Sequence, residues 1–397
     1  MVSGFIRMNV ECIFVKYDMW MRTVYLKILE IASCFPPSRG GVEKCVYELS
    51  VRFARDGHDV TVATSSRGKE TRFHTERSGE LKIIRFPERF HLFEAPIMPN
   101  LASIALTADY DILHIHGMSP SITDLSILFA KLRRKPVVLT YHNDAESDLW
   151  GGVTKAAAFV YSSLVSSIVR MSNVVVSSTR SYADTSPALR YSMNKLRVIP
   201  MGVDTQKYDN IQLRNEIRPE RNLLFVGQLK DYKGVEVLLE SLSHLRNAGH
   251  EINTDIVGTG PNWRKLVGKA KQLHIDTNVR FRGNVSDDEL LQLYANCDSL
   301  VLPSVNRREA FGIVLLEAKA AGKNVVASDI PGVNEVASIG GGYLAKPNDP
   351  ISLARSILNS LESGHHPDKI RQAARALNWD TLAAEYESVF ESLTNGE

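Results

Sequence analysis

The sequence predicts an α/β protein with two lobes, each a doubly wound parallel β-sheet covered by helices. At 397 residues the chain is too long for one ordinary hydrophobic core, which favours two domains. In both halves, apolar runs of strand length are followed by glycine turns and amphipathic helices, an alternation typical of parallel sheets. We divide the chain into an N-terminal extension, an N-lobe, a polar linker, a C-lobe and a closing helix, at residues 1–21, 22–204, 205–220, 221–376 and 377–397.

Composition and charge favour a globular protein and argue against some partners. The chain is 44% hydrophobic and 23% charged, which is typical of soluble globular proteins. Its net charge of only +2 argues against nucleic acid as the main partner. Residues 22–200 hold 23 basic and 17 acidic side chains, whereas residues 201–397 hold 22 and 26. The front half therefore suits an acidic partner better than the back half does.

Cysteine spacing and the lengths of the apolar segments indicate the cellular compartment. The four cysteines form no C-x-x-C pair, so we expect neither a metal site nor a disulfide framework, and a reducing, cytoplasmic compartment is the simplest interpretation. The first 20 residues are mildly apolar but charged, which argues against a secretory signal and makes Met21 a candidate start. The longest charge-free apolar segment, residues 156–169, is well short of the roughly 20 residues that a bilayer crossing requires.

The first strand of the N-lobe leads into a glycine loop. Residues 24–32 predict a strand, and the prolines and glycines of PPSRGGVE, Gly40 and Gly41 among them, exclude regular structure there. Residues 42–55 have helical apolar spacing, and residues 60–63 predict the next strand. Such a loop serves either a plain turn or the close approach of a ligand, and both interpretations stay open for Gly41.

Two aspartates and two histidines flank and line a short predicted strand, Ile112–Ile115. Asp109 and Asp111 have the spacing of some metal-binding motifs, but residues placed directly before a strand are typical of turns, so we predict no metal site there. His114 and His116 alternate along the strand. His116 could face a ligand at its carboxyl end, whereas His114 could equally be a satisfied core histidine.

A helix, a basic run and another strand follow. Residues 121–132 predict the helix, and the run Lys131–Lys135 is usually a solvated face, with a membrane surface or an acidic acceptor as the less favoured alternative. Residues 137–141 predict the strand, which ends in His142. Ligands bind at the carboxyl ends of parallel strands, so His142 is a candidate site residue.

The C-lobe repeats the pattern of strand, glycine turn and basic side chain. Residues 223–227 predict a buried strand that ends at Gly227, with Gln228 and Lys233 in the loop and helix start that follow. A glycine turn beside a lysine suits a phosphate group. Another apolar run ends in Gly260-Pro261, but no third glycine follows, so this is not a dinucleotide fingerprint.

The most informative stretch of the C-lobe is residues 303–335. Glu309 lies in a polar loop, Phe311 and Gly312 follow, and Glu317 comes eight residues after Glu309 in a predicted helix, residues 313–321. A glycine at a helix start lets a ligand approach bare backbone N–H groups, which suits a diphosphate. Carboxylates accept hydrogen bonds from vicinal diols, so two of them beside that pocket suit a nucleotide sugar.

These motifs, in this order, resemble the retaining family 4 glycosyltransferases (glycosyl transferases group 1) over roughly residues 24–394. The resemblance implies the GT-B fold, in which two Rossmann-like lobes face a cleft, with an N-terminal acceptor lobe and a C-terminal donor lobe. It also implies that the closing helix crosses back onto the N-lobe. The matching segments are PPSRGGVE, YHND, VGQLKDYKG, VGTGP, RGNVSDDEL, EAFGIVLLE and PGVNE.

The resemblance also implies roles for single residues. Glu309 contacts the donor sugar, Glu317 the ribose, Gly41 the donor phosphates or the acceptor, and His142 lies beside the reacting sugar. The remaining donor-binding positions are Gly227, Lys233, Gly283, Val285, Phe311, Gly312 and Ile313. Where the family has an arginine this chain has Gln228, which removes a charge-assisted contact of roughly 1.5–3 kcal/mol unless Arg307 or Arg308 compensates.

We therefore expect transfer of a hexosyl group, with retention, from a UDP- or GDP-sugar to a hydroxyl of a glycolipid, lipid-linked or polysaccharide acceptor. The family implies no obligatory metal or other cofactor. The basic N-lobe adds peripheral contact with an anionic membrane on the cytoplasmic face. Two alternatives stay open: a nucleotide-sugar epimerase on the same fold, and a catalytically silent nucleotide-sugar binder, which Gln228 alone supports.

Overall fold

The computed structural model describes most of both predicted lobes. The described residues are 25–38, 40–66, 72–88, 91–92, 95–119, 121–144, 165–209, 221–363 and 366–395. The expected N-terminal extension, residues 1–21, lies outside them, as do residues 210–220 of the predicted linker.

The N-lobe is built on an eight-stranded sheet with strand order β10-β9-β8-β7-β1-β2-β4-β3. Neighbouring strands are parallel except β3 and β4, which form an antiparallel pair at one edge. A separate two-stranded ribbon joins β5 to β6. The strands are β1 Lys27–Ala32, β2 Asp59–Ser65, β3 His74–Ser78, β4 Leu81–Phe86, β5 His91–Leu92, β6 Ala95–Pro96, β7 Ile112–His116, β8 Val137–Tyr141, β9 Val174–Ser177 and β10 Leu196–Val198.

Helices cover this sheet, and the first of them, α1, follows the glycine loop. Its apolar residues recur at helical spacing, so Val46, Leu49 and Phe53 are all buried against the sheet. The helices are α1 Gly41–Arg55, α2 Pro99–Ala102, α3 Ile104–Thr107, α4 Thr123–Leu132, α5 with described residues 165–171, and α6 Arg180–Thr185.

The C-lobe has a six-stranded, fully parallel sheet in the order β13-β12-β11-β14-β15-β16. Its strands are β11 Arg221–Val226, β12 Ile252–Val257, β13 Val279–Gly283, β14 Ser299–Leu302, β15 Asn324–Ser328 and β16 Tyr343–Ala345. The helices that follow the N-lobe are α7 Gln206–Asp209, α8 Val235–Asn247, α9 Trp263–Gln272, α10 Asp287–Asn296, α11 Ile313–Ala320, α12 Val333–Ser338, α13 Pro350–Glu362, α14 Pro367–Arg375 and α15 Trp379–Thr394.

Two parallel sheets with helices on both faces confirm the predicted fold class. The described start of the predicted linker contains a short helix, α7. Tyr208 of α7 is buried with its ring centroid 5.9 Å from that of Tyr294, so burial of one aromatic side chain orders the start of the linker.

The last helix, α15, packs on the N-lobe although it follows the C-lobe in sequence. The Phe390 ring lies 5.3 Å from that of Phe53 on α1, and Asp380 accepts a hydrogen bond from Arg52 Nε at 2.8 Å. Because α15 begins where the C-lobe chain ends, these contacts tie the two lobes together behind the cleft.

Candidate active site

The candidate site lies where the carboxyl ends of the two sheets face each other. On the C-lobe side the strands β11, β12 and β13 lead into Gly227, Gly258 and Gly283, and the Gly258 N–H donates to the Gly283 carbonyl at 2.8 Å. Gly258 has a φ of +123°, and a Cβ there would lie 2.0 Å from the Gly227 carbonyl oxygen. Only glycine fits this conformation and this close approach, so the sequence keeps the edge open for a ligand.

The start of α11 lies at this edge of the C-lobe sheet. Gly312 precedes it in the left-handed region, with φ 77° and ψ 61°, and no side chain caps its first turn. Phe311 is buried in the core, so only its backbone is available to a ligand. A Cβ on Gly41 of the N-lobe would lie 3.8 Å from Ile313, which places the predicted glycine loop directly opposite the helix start.

Glu309 and Lys233 form a hydrogen-bonded ion pair beside this helix start. Burial lowers the pKa of Lys233, but the Glu309 carboxylate more than offsets that effect and the net pKa is raised. Ser304 Oγ lies 3.4 Å from the same carboxylate oxygen, and the Lys233 stem lies against Gly227. The structure therefore brings three of the predicted residues into one polar cluster.

Glu317 lies one turn further along α11 and binds residues of both lobes. Its Oε1 is 2.6 Å from Lys44 Nζ on α1, and its Oε2 accepts a hydrogen bond of 2.8 Å from the buried Tyr294 hydroxyl. Burial lowers the pKa of Lys44, but nearby carboxylates, Glu317 first among them, raise it on balance. Glu317 thus has a fixed orientation and a cation beside it.

The other predicted donor-site residues lie around this centre. Gln228 is exposed directly after β11, Gly283 packs beside Trp263, and Val285 is partly buried against the core. Of the two arginines expected to compensate for Gln228, Arg308 stacks over the Tyr232 ring at 4.8 Å, where Lys233 also lies at 5.3 Å.

Arg307 is used differently. Its Nε and Nη2 lie 3.1 and 2.9 Å from Asp144 Oδ2 on the N-lobe, and its guanidinium stacks over the Tyr182 ring. A guanidinium engaged in this way bridges the lobes and does not replace the missing phosphate contact at Gln228.

His142 belongs to a buried polar cluster in the N-lobe. Its Nε2 is 3.3 Å from His116 Nδ1, and His116 Nε2 is 2.8 Å from Glu30 Oε2. The other oxygen of Glu30 lies 3.0 Å from His114 Nδ1. Both His114 and His116 are therefore satisfied buried histidines, and His116 touches the candidate site residue His142.

The described residues contain two groups compact enough for a metal ion: Glu30 with His114 and His116, and Cys45 with His116 and His142. In both groups the histidine nitrogens are hydrogen-bonded within the protein, apart from Nδ1 of His142. Burial raises the pKa of the Cys45 thiol far above its usual range, which disfavours the thiolate that binds metals. The arrangement fits a hydrogen-bond network better than a metal centre.

Asp109 and Asp111 have structural partners. Asp111 accepts a hydrogen bond of 2.9 Å from the Lys27 backbone N–H, and Asp109 pairs with the Lys27 side chain. They thus hold the start of β1 against the segment that precedes β7.

The sequence did not reveal Lys44, Tyr294, Asp144 and Glu30 as site-forming residues. Glu30 left one signal, since it is the single charge inside the apolar run ILEIA, residues 28–32. Lys44 follows the glycine loop by three residues, but nothing local indicates that it pairs with a glutamate 273 residues away.

Comparison with known families covers both lobes. Residues 39–207 match the family described as Glycosyltransferase Family 4, and residues 208–377 match the family described as Glycosyl transferases group 1. The chain is a group 1 glycosyltransferase of family 4. Its two lobes and the cleft between them have the GT-B architecture of such enzymes.

Named relatives of this glycosyltransferase are identical to it at more than a quarter of the aligned residues. D-rhamnosyltransferase WbpZ of Pseudomonas aeruginosa is 28% identical over 348 residues, which cover 85% of this chain and 86% of that protein. O-antigen chain mannosyltransferase C of Escherichia coli is 29% identical, covering 75% of this chain and 77% of that protein.

A solved structure shares the fold of this glycosyltransferase. HepE of Anabaena, in complex with UDP and glucose, superposes with a TM-score of 0.68 at 18% identity, covering 93% of this chain and 100% of that one.

Proposed function

We propose that this glycosyltransferase moves a hexosyl group from a nucleoside-diphosphate sugar to an acceptor hydroxyl, with retention at the anomeric carbon. The observation that carries the proposal is the uncapped start of α11, with Lys233 and Glu309 beside it and Gly41 of the other lobe opposite. Bare N–H groups and a protonated lysine stabilise a departing diphosphate, the group on which negative charge develops.

The carboxylates have separate roles in this proposal. Glu309 would orient the donor sugar, and its ion pair with Lys233 supports a sugar contact next to a phosphate contact. Glu317 would accept the ribose hydroxyls, and the Tyr294 hydroxyl holds it in place for that purpose. A carboxylate has about four lone-pair positions, so Glu317 retains acceptor capacity while it is bound by Lys44 and Tyr294.

Residues of both lobes complete the proposed donor and acceptor sites. Gly227 and Gln228 would border the phosphates, with Arg308 as the compensating cation, and Gly283 and Val285 would border the base. His142 would hold a hydroxyl of the sugar or of the acceptor. The rhamnosyl and mannosyl transfer in the relatives' names supports a hexosyl donor, the UDP in HepE supports a UDP-sugar with GDP as the alternative, and the O-antigen name supports a polysaccharide acceptor.

The test is a donor screen followed by one substitution. Thermal shift with UDP-, GDP- and ADP-sugars identifies the donor, and transfer to lipid-linked glycans is then followed with radiolabelled sugar. We expect Glu309→Ala to abolish transfer while its circular dichroism is unchanged. Glu236→Ala is the matched control, since Glu236 pairs with Lys265 on an exposed face of the same lobe. Unchanged turnover of Glu309→Ala contradicts the sugar-site assignment, and an inverted product anomer by NMR contradicts retention.

We also propose that the N-lobe contacts an anionic membrane through the end of α4. Leu128 and Leu132 are 43% and 68% exposed one turn apart, and Lys131 lies between them. The basic run leads into the start of β8, so this surface lies at the amino edge of the sheet, opposite the cleft. It would tether the enzyme and leave the acceptor site free. None of the described helices has the length and apolarity to cross a bilayer.

Vesicle flotation tests the tether. The protein should float with vesicles containing phosphatidylserine and not with neutral vesicles, and Leu132→Ser together with Lys131→Ser should abolish flotation without affecting transfer to a water-soluble acceptor. Equal flotation of the double variant contradicts this location for membrane contact.

A further inference from the structure

A buried hydrogen-bond network in the N-lobe ends at His142, and its centre is a carboxylate. Glu30 lies in the middle of β1 with no exposed surface, and it is paired in register with His114 on β7. Side chains alternate between the faces of a strand, so His114 and His116 project on the same face as each other. This register brings both rings to one carboxylate.

Two arms of hydrogen bonds converge on Glu30. One arm runs from Glu30 Oε2 through His116 to Nε2 of His142, with separations of 2.8 and 3.3 Å. The other arm runs from Glu30 Oε1 through His114 to Thr140, with separations of 3.0 and 2.7 Å, and then 3.1 Å to the Tyr386 hydroxyl of α15. The first arm ends at the candidate site and the second at the closing helix.

One atom of the network has no partner. The rings of His114, His116 and His142 contain six nitrogens, and only Nδ1 of His142 lacks a hydrogen-bond partner among the described residues. The ring of His142 is buried at the carboxyl end of β8, where this sheet faces the cleft. An unpaired buried polar atom at such a position indicates that a ligand completes its hydrogen bonding.

The protonation states fix the direction of each hydrogen bond. Burial opposes the charge on Glu30, but His114 and His116 stabilise it and lower the pKa of Glu30 to about 2. An ionised carboxylate only accepts, so His116 donates from Nε2 and His114 from Nδ1. Burial, with the neighbouring His114, lowers the pKa of His116 to about 4 despite Glu30, so at neutral pH its Nδ1 has a lone pair.

His142 must then be the donor to His116. Its Nε2 faces the His116 lone pair and therefore holds the hydrogen atom. Burial, followed by the two other histidines, lowers the pKa of His142 well below its usual value, so the ring is neutral and Nδ1 has a lone pair. Among the remaining titratable groups near the rings, burial keeps the Cys45 thiol and the Tyr386 hydroxyl protonated.

We propose that Glu30 is a positioning residue that acts through His116 to hold the proton of His142 on Nε2, which presents Nδ1 as an acceptor for a substrate hydroxyl. This inference rests on the proposed function, in which His142 contacts a hydroxyl of the sugar or of the acceptor. It adds a reason for a charged residue inside the core. A neutral network would leave the His142 tautomer free to invert, and Nδ1 would then donate.

The first experiment measures the tautomers of the full chain without any substitution. The protein is labelled with ¹⁵N-histidine, and long-range ¹H–¹⁵N spectra at pH 7 distinguish the two tautomers and the cation. His142→Gln identifies the His142 signals by their loss. We expect His142 and His116 to be protonated at Nε2 only, and His114 to hold a proton on Nδ1, the nitrogen that faces Glu30. A proton on Nδ1 of His142, alone or in the cation, overturns the proposal.

The second experiment uses Glu30→Gln. This substitution keeps the shape of the side chain but replaces two accepting carboxylate oxygens with one accepting oxygen and one donating NH₂ group. At least one of the two arms must then reverse the direction of its hydrogen bonds. Reversal of the arm that ends at His142 should lower kcat by about tenfold or more with little change in donor Kd. Tyr386→Phe is the control, because it removes a hydroxyl from the arm that does not reach His142, and it should leave the His142 tautomer unchanged. A Glu30→Gln protein that keeps every wild-type tautomer overturns the proposal.

The two readouts separate this inference from the proposed function. If the tautomers are as expected but no sugar is transferred to any acceptor, the proposed function fails and the role of Glu30 in fixing the tautomer stands. If transfer occurs and the tautomer of His142 is the opposite one, the function stands and the role of Glu30 is wrong.

Discussion

The two lobes stabilise their buried carboxylates in opposite ways. In the C-lobe, Glu309 and Glu317 each face a lysine, Lys233 or Lys44, so each pair has no net charge. In the N-lobe, Glu30 has no lysine or arginine partner among the described residues and instead accepts hydrogen bonds from ring nitrogens of two buried histidines. The carboxylates are therefore the same chemical group in two electrostatic settings.

The difference indicates two uses of a buried charge. An ion pair can exchange partners when a ligand binds. The lysine can pair with an arriving phosphate, and the carboxylate can accept hydrogen bonds from a diol of the same ligand. A carboxylate held by buried histidine ring nitrogens has no such substitute, and it fixes the direction of every hydrogen bond around it. We infer that the ion pairs of Glu309 and Glu317 separate when the donor binds, whereas the hydrogen bonds of the N-lobe network are retained.

For the comparison of the two lobes, the largest expected effect comes from removing Lys233, the C-lobe cation. Lys233→Ala should lower kcat by about 10²–10³-fold, because the departing diphosphate loses a charged donor. Steady-state kinetics with the identified donor measure the loss. Lys265→Ala, which removes an exposed lysine paired with Glu236, should leave kcat unchanged. A loss below fivefold for Lys233→Ala would show that the ion pair is structural only.

Lowering the pH should destabilise the N-lobe more than the C-lobe. The pKa of His116 is lowered from 6.5 to about 4, so the unfolded chain binds a proton between these pH values that the folded chain does not. Folding stability therefore falls as the pH drops through this window, by about 2 kcal/mol between pH 7 and pH 5 from this group alone. The pKa of Glu30, lowered from 4.5 to about 2, extends the loss in the same direction below pH 4.5.

The C-lobe is the internal control for that measurement. The pKa of Lys233 is raised, so this C-lobe lysine stays charged at pH 5 and pH 7. Hydrogen exchange, corrected for intrinsic rates, should lose more protection in β7 and β8 than in β11 and β12 when the pH falls. An equal change in both sheets is the outcome that contradicts the neutral-histidine network.

The smallest expected effect is at the bridge between the lobes. Arg307→Lys removes the contact that two guanidinium nitrogens make with Asp144. A lysine makes a weaker contact, so the free energy that favours closed lobes should fall by about 1 kcal/mol. We expect a rise of several-fold in donor Kd by calorimetry and a slightly larger radius of gyration by solution scattering. Arg180→Lys, in an exposed pair with Asp184 within the N-lobe, is the matched control and should change neither quantity.

Much of the fold followed from local chemistry. Glycine turns after apolar runs predicted the strand ends, and the helix from Ile313 began where Gly312 interrupts the chain. The antiparallel β3–β4 edge and α7 were not foreseen, because β3, with mostly exposed residues, and a four-residue helix have little apolar periodicity. Burial of Tyr208 decided the second case, and burial depends on distant residues.

By itself, the sequence determined the doubly wound class, the open glycine edge and the neighbourhood of Glu309, since each depends on residues close together in the chain. Only the tertiary structure decided that Lys44 pairs with Glu317, that Arg307 reaches Asp144 and that Glu30 holds two histidines. These partners are separated by 84 to 273 residues. Strand register and the docking of the lobes bring them together, and both result from packing over the whole chain rather than from any local pattern.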